Sequence, residues 1–422
     1  MVMSNRRSFL AAVSTASLGL VGGCAGIRGE GSGSHPVSEP VTDWPSFRGD
    51  RYNTGFARGV SPTSADPSIE WTHEADGPFW GSPVVADDTV FVGNADGTLY
   101  ALDATTGEEL WTFATGHRIE GSPAYADGTV YVGSYDTCVY AIDAASGDET
   151  WRRDLEGLIR GSPTVTGETV YIGVGCHNLA CAVFAEESDE PDATEGGWIY
   201  ALDAVTGETE WRYAVGDEVV STPAVDDETM YIGASNDTLY ALDTGSGAEV
   251  WTYDVGDMVW SSPTLAFGTV FFGDWNGIVH AVDAASGEVE WTADPFARYI
   301  SGSVAVDDSG VYVGDTPYNT LDDPTTHYGE MFKFDRQSGE ELWSFETDAL
   351  EVGSSPVVTD DRLYFGTHGQ TERDGLGVYG LTTDGEEAWF VEVGGRGVGS
   401  SPALVDGTLY VSGTDGRMYA IR

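Results

Sequence analysis

In a chain this acidic, arginine is the residue that can address an anion, and four arginines fall in equivalent links of a repeat. Arg118, Arg160, Arg298 and Arg396 each stand a few residues ahead of a Ser-Pro pair or its variant: Ser122-Pro123, Ser162-Pro163, Ser303-Val304 and Ser401-Pro402. Trp80, Glu120, Trp260 and Tyr299 fall in the same stretch of their own copies. Guanidinium forks suit carboxylates, and aromatic rings suit sugars, stacked rings or apolar side chains. The pattern points to an anion- or peptide-accepting surface. The competing reading is that the arginines pair with surrounding acids while Trp80 and Trp260 plug a channel. Hydrolytic chemistry has less support: there is no Gly-x-Ser-x-Gly elbow, and histidines 35, 73, 117, 177, 280, 327 and 368 show no paired-ligand spacing. Cys176 and Cys181 suggest a local disulfide. A metal site from Cys176, His177 and Cys181 lacks a second ligand pair. Cys138 reads as a small hydrophobe in a strand.

The elements that must position these residues are short strands in a repeat. Trp71, Trp111, Trp151, Trp211, Trp251, Trp291, Trp343 and Trp389 are spaced 40, 40, 60, 40, 40, 52 and 46 residues apart. Each is followed at near-fixed distance by the Ser-Pro mark, first at Ser82-Pro83 and last at Ser401-Pro402. A self-similar period of about 40 residues, rich in strand formers, marks a β-propeller. Residues 121–152 show one unit. Strands are expected from Gly121, from Thr129, from Cys138 and from Glu149. Asp127-Gly128 should make a two-residue hairpin turn, because both residues tolerate positive φ. The predicted fold is all-β: an eight-bladed β-propeller of four-stranded antiparallel blades. Met418-Tyr419-Ala420-Ile421-Arg422 reads as a third strand without a fourth, and Ile69-Glu70-Trp71-Thr72 as a fourth without its first three. They are expected to close the ring together in the last blade.

Three units are longer than the rest, at 174–197, 315–329 and 367–377, all between the second and third strands. In an up-and-down blade this connection shares a face with the links carrying the four arginines, Trp80, Glu120, Trp260 and Tyr299. Propeller ligands bind where loops converge near the axis. His327 and His368 lie in these longer connections and could meet there. The residues just ahead of each mark differ from blade to blade, which favours a specific ligand or partner over a symmetric pore.

The stretch Tyr-Ala-Leu-Asp-x-x-Thr-Gly-x-x-x-Trp, at 100–111 and 200–211, at 240–251 with Ser246 for the Thr, and in near copies elsewhere, resembles the tryptophan-docking motif of the quinoprotein (PQQ-like) propeller family. The resemblance covers roughly residues 44–422, including Trp44-Pro45-Ser46-Phe47-Arg48-Gly49-Asp50 with Asn53-Thr54-Gly55. It implies that the eight tryptophans cement neighbouring blades. It also implies one of two activities. BamB-like lipoproteins of the same architecture dock partners without catalysis. Quinoprotein dehydrogenases hold PQQ on the axis with Ca²⁺ beside it. The chain departs from the dehydrogenases: it has no adjacent cysteine pair and no Cys-x-x-Cys-His, and its repeats are nearly minimal.

Residues 1–23 look like a twin-arginine signal with Arg6 and Arg7, ending in a lipobox before Cys24, which would carry lipid. Residues 24–43 read as a flexible tether, and 44–422 as a single propeller. No other segment is long enough to span a bilayer. The chain has 69 acidic residues against 19 basic ones, of which only Lys333 is lysine. This balance resembles proteins of extremely halophilic archaea. In molar salt the Debye length falls to about 3 Å, and hydrated carboxylates keep such a surface soluble. Nucleic-acid binding, which needs a basic footprint, is disfavoured. The expectation is a monomeric, lipid-anchored propeller outside the cytoplasmic membrane. It should bind an envelope protein or a small ligand, with no cofactor.

Overall fold

Turn chemistry and strand alternation set each blade. The protein is described here by a computed structural model over residues 42–60, 63–175, 196–294, 299–315, 328–349, 351–369 and 375–422. These form eight four-stranded antiparallel sheets. In the second blade the strands are Ala124–Ala126, Thr129–Gly133, Cys138–Asp143 and Glu149–Asp154. Asp127 and Gly128 have φ of 48° and 80°, as the hairpin requires. The innermost strand starts three residues later than the sequence pattern suggests, because Gly121 and Ser122 line the axis instead. The two middle strands bury both faces, and the outermost is exposed except at the half-buried Trp151. Cys138 is a free thiol, partly buried.

The core is a series of contacts between neighbouring blades. One cluster joins Tyr171, Ala201 and Trp211 of one blade to Met230, Ile232 and Tyr240 of the next. Each such large side chain contributes roughly 1.5–3 kcal/mol on burial. The motif tryptophan sits across from a small residue, as Ala141 faces Trp151, and a bulge follows immediately. The same bulge follows Ala101, Ala201 and Ala241. It aims the indole at the next blade. Trp111 Nε1 donates to the Ala144 carbonyl at 2.9 Å, and a Cβ on Gly147 would lie 2.8 Å from that indole. Glycine is therefore required there by close approach as well as by its φ of 76°. The motif aspartate holds the turn: Asp143 Oδ1 accepts from the Ser146 amide at 2.8 Å. Such bonds keep the carboxyls of Asp103, Asp143, Asp203 and Asp335 below their ordinary range.

The ring closes as expected. Ile69–Glu74 pairs antiparallel with Arg417–Ile421, with Trp71 opposite Ala420. Ser68 and Arg422 exchange backbone hydrogen bonds at 3.0 Å each way. Seven motif tryptophans donate to the next blade's turn. Trp389 faces the closing blade, where no turn joins Ile421 to Ile69, and like the others it packs on the second-strand aromatic of its own blade, Tyr364, at 5.7 Å.

Candidate functional site

The Ser-Pro mark builds the channel wall. Ser and Thr hydroxyls at these positions surround a cavity of about 170 Å³ on the axis. The Ser82 amide donates to Ser122 Oγ at 2.9 Å, and the Ser122 amide to Ser162 Oγ at 2.9 Å. Thr222, Ser262 and Ser303 donate in turn to Ser262, Ser303 and Ser355. Ser401 donates to Ser82 Oγ at 2.8 Å, carrying the relay across the closure.

The floor is made by the segment ahead of the first blade. Residues 44–57 run from blade to blade beneath the ring. Carbonyls of Trp44, Pro45, Arg51, Tyr52, Thr54 and Gly55 accept from amides of Val85, Tyr125, Val225, Leu265, Val306 and Val358. Phe47 reaches the axial cavity. Beside it Arg48 is 1% exposed, with φ of 65°. Its guanidinium donates to Pro356 O at 2.6 Å and Val304 O at 2.9 Å. Burial pushes it down to about 9, opposed by Asp50, whose own carboxyl burial pushes up. The resemblance drew attention to this segment. That it closes the axis was not legible, because the sequence reading assigned plugging to Trp80 and Trp260.

The mouth brings most of the expected residues together. Trp80, Glu120, Arg160 and Trp260 line the axial cavity. Arg118 Nε lies 3.1 Å from Glu120 Oε1, and Arg160 Nε lies 3.4 Å from Glu120 Oε2. Arg160 Nη1 lies 3.1 Å from Glu218 Oε1, and Glu218 is 1% exposed. Tyr135 donates to Glu120 at 2.6 Å, and Arg118 lies over its ring at 4.1 Å. Burial raises the Tyr135 hydroxyl well above the ordinary range. Arg160 lies 5.2 Å from the Trp260 ring. Trp260 meets Trp275 edge-on at 4.4 Å, and Trp275 stacks on Tyr299 at 5.0 Å. Trp80 stands 44% exposed, four blades from Trp260 and so across the axis from it.

Arg396 belongs to a separate group. It donates through Nε to Gly369 O at 3.2 Å. Nearby, His368 Nε2 lies 3.2 Å from Glu351 Oε2. Burial and then the Arg396 charge push His368 down to about 4, and burial raises Glu351. The His368 ring rests over Gly353, where a Cβ would approach to 3.1 Å. Tyr135, Glu218 and Trp275 were missed by the sequence reading. The repeat held a usable signal for two of them: Tyr135 and Trp275 fill one repeat position, and their amides donate to Arg118 O and Met258 O. Arg298, His327, Cys176, Cys181, Cys24, Arg6 and Arg7 lie outside the described residues.

Comparison with known proteins agrees with this architecture. The PQQ_2 family model, described as outer membrane protein assembly factor BamB, matches at residues 37–119, 95–175, 192–293 and 275–422. The chain is similar to BamB from Moraxella catarrhalis, with a TM-score of 0.66 at 18% identity over 84% of this chain and 99% of that one. It is also similar to quinohemoprotein alcohol dehydrogenase from Comamonas testosteroni, with a TM-score of 0.73 at 18% identity over 91% of this chain and 81% of that one. A quinoprotein ethanol dehydrogenase of Pseudomonas aeruginosa is 38% identical over 68 residues, which is 16% of this chain and 11% of the enzyme's length. At these identities the solved structures speak for the fold alone, and the family match decides membership. The chain belongs to the PQQ_2 family of BamB-type β-propeller proteins.

Proposed function

We propose that the protein is a non-catalytic docking propeller, held by lipid on Cys24 at the outer side of the cytoplasmic membrane and facing brine. In this reading residues 1–23 direct export of the folded chain, and 24–43 tether it. The partner is an envelope protein or a small ligand that meets the mouth. The observation that carries the reading is the state of the mouth. Arg118 and Arg160 are already neutralised by Glu120 and Glu218, while Trp80 stays exposed beside them. A rim of satisfied charge around an exposed indole suits docking.

The second reading, a PQQ-dependent dehydrogenase with Ca²⁺, draws on the short match to the ethanol dehydrogenase. The described residues fit that cofactor poorly. The axial space of about 170 Å³ is smaller than the roughly 300–1,000 Å³ of ordinary ligand pockets. Arg160, the cation best placed to pair a quinone carboxylate, is engaged by two glutamates. Among the described residues no three His, Cys, Asp or Glu side chains converge as a metal site.

Two measurements on the full-length chain in molar salt separate the readings. Crosslinking in membranes should capture a defined partner with the parent protein and with Arg58→Gln on the opposite face. Capture should fall about tenfold or more with Trp80→Ala and Trp260→Ala, as for aromatic anchors at an interface centre. Equal capture by all variants would remove the docking mouth. Titration with PQQ and Ca²⁺ should give no saturable quenching of tryptophan fluorescence. Saturation at one cofactor per chain would replace docking with dehydrogenase chemistry.

A further inference from the structure

The serine relay leaves a set of donors unaccounted for. A hydroxyl has one hydrogen to give and two lone pairs to accept with. Six hydroxyls, those of Ser82, Ser122, Ser162, Ser262, Ser303 and Ser355, each accept a neighbouring blade's amide. All six are at most 5% exposed and line the axial cavity. No protein acceptor among the described residues takes their hydrogens. A buried donor without a partner costs about 1–3 kcal/mol, so the same omission around a ring points to something on the axis that accepts.

Charge beneath the ring has the same sense. Arg48 spends its forks on the carbonyls of Val304 and Pro356, the residues that follow Ser303 and Ser355. Its Nε has no hydrogen-bond partner, and the charge that reaches it is that of the buried Asp50. A buried guanidinium therefore lies on the floor side, bound to two of the blades whose serines line the cavity. Water competes for this space, because each serine Oγ keeps a second lone pair that can accept and the Glu120 carboxylate lines the same cavity. An anion accepts from several donors and gives none back.

We propose that the serine ring is an axial anion site, which takes one small monoanion, either a free halide from the surrounding brine or a carboxylate carried by a ligand. Affinity need only be modest, since a site that binds in the tens of millimolar is filled in molar salt. The site is independent of the docking reading: a partner could cover the mouth whether or not the axis holds an anion. Close approach of the eight innermost strands is what makes it, and Arg160 and Glu120 line the same cavity toward the mouth.

Bromide is the probe. The full-length chain should broaden the bromine NMR line saturably at one site per chain at constant ionic strength. Crystals grown in bromide should show an anomalous peak on the axis, level with the ring. Ser122→Ala, which removes one donor, should weaken binding about threefold or more, and Ser122→Thr, which keeps the hydroxyl, should restore it. Acetate that displaces the bromide would assign the site to a ligand carboxylate, and bromide that resists acetate would assign it to free halide. No saturable broadening together with no axial peak would overturn the site and leave water in its place. So would bromide binding that is unchanged in Ser122→Ala while the peak lies off the axis.

Discussion

The two ends of the axis use the same residue type in opposite ways. At the floor, Arg48 is 1% exposed and donates only to backbone carbonyls of two blades. At the mouth, Arg160 has a quarter of its side chain open to solvent and is held between two glutamates and an indole. The floor arginine is part of the scaffold: it ties the crossing segment to the ring at a position where its charge is poorly solvated. The mouth arginine is part of a surface, where solvent screens its pairs and they fix side-chain directions more than they hold the fold. An arginine near a propeller axis is thus no evidence of ligand binding until its partners are known.

The sharpest way to break this comparison is at the floor. Arg48→Ala strands two buried carbonyls and empties the space against Gly55, and it should cost about 3 kcal/mol. Thermal unfolding in molar salt reads this directly. A loss no larger than that of a surface arginine such as Arg58→Ala would show that the crossing segment does not lock the ring.

A smaller effect is expected at the mouth. Arg160→Ala leaves the buried Glu218 without its partner, at a cost of about 1–2 kcal/mol after allowance for solvent at the arginine. Adding Glu218→Gln should recover most of that loss. Additive losses in the double variant would show that the pair is not a unit.

The smallest effect concerns acid. Asp103, Asp143, Asp203 and Asp335 have carboxyls held below the ordinary range by turn hydrogen bonds. Their folded-state values are lower than unfolded ones, so their contribution is present above the unfolded value near ~3.9 and is lost as pH falls below it. Unfolding followed from about pH 6 to pH 3 should show a gradual loss from about pH 6, as His368 is held below its ordinary value, and a further loss at the acid end that is smaller in Asp103→Asn. A decline of equal size in that variant would place the acid sensitivity elsewhere.

How much was legible in the sequence varies by element. The hairpin at Asp127-Gly128, the docking of Trp111 on Gly147 and the pairing of Trp71 with Ala420 all follow from local chemistry repeated at a period, so they could be read from the chain. The clustering of Trp80, Glu120, Arg160 and Trp260 was also legible, because repeat register places equivalent positions on one face. The ion network was not: Glu218 reaches Arg160 across a blade boundary, and no spacing in one chain reveals which acid among 69 an arginine will meet. Arg396 lies in the link equivalent to that of Arg118, one repeat position earlier, and it stands apart beside His368.

By itself, the sequence determined the blade, the number of blades and the strand that closes them, since each depends on residues a few positions apart and on their recurrence. Tertiary structure alone decided which end of the axis is shut, how the mouth arginines are spent and that six serine hydroxyls face a common centre. Those outcomes depend on distances between residues 40 to more than 300 positions apart, such as Ser82 to Ser122 and Arg48 to Pro356. Closing a ring sets such distances all at once, and no local preference encodes any one of them.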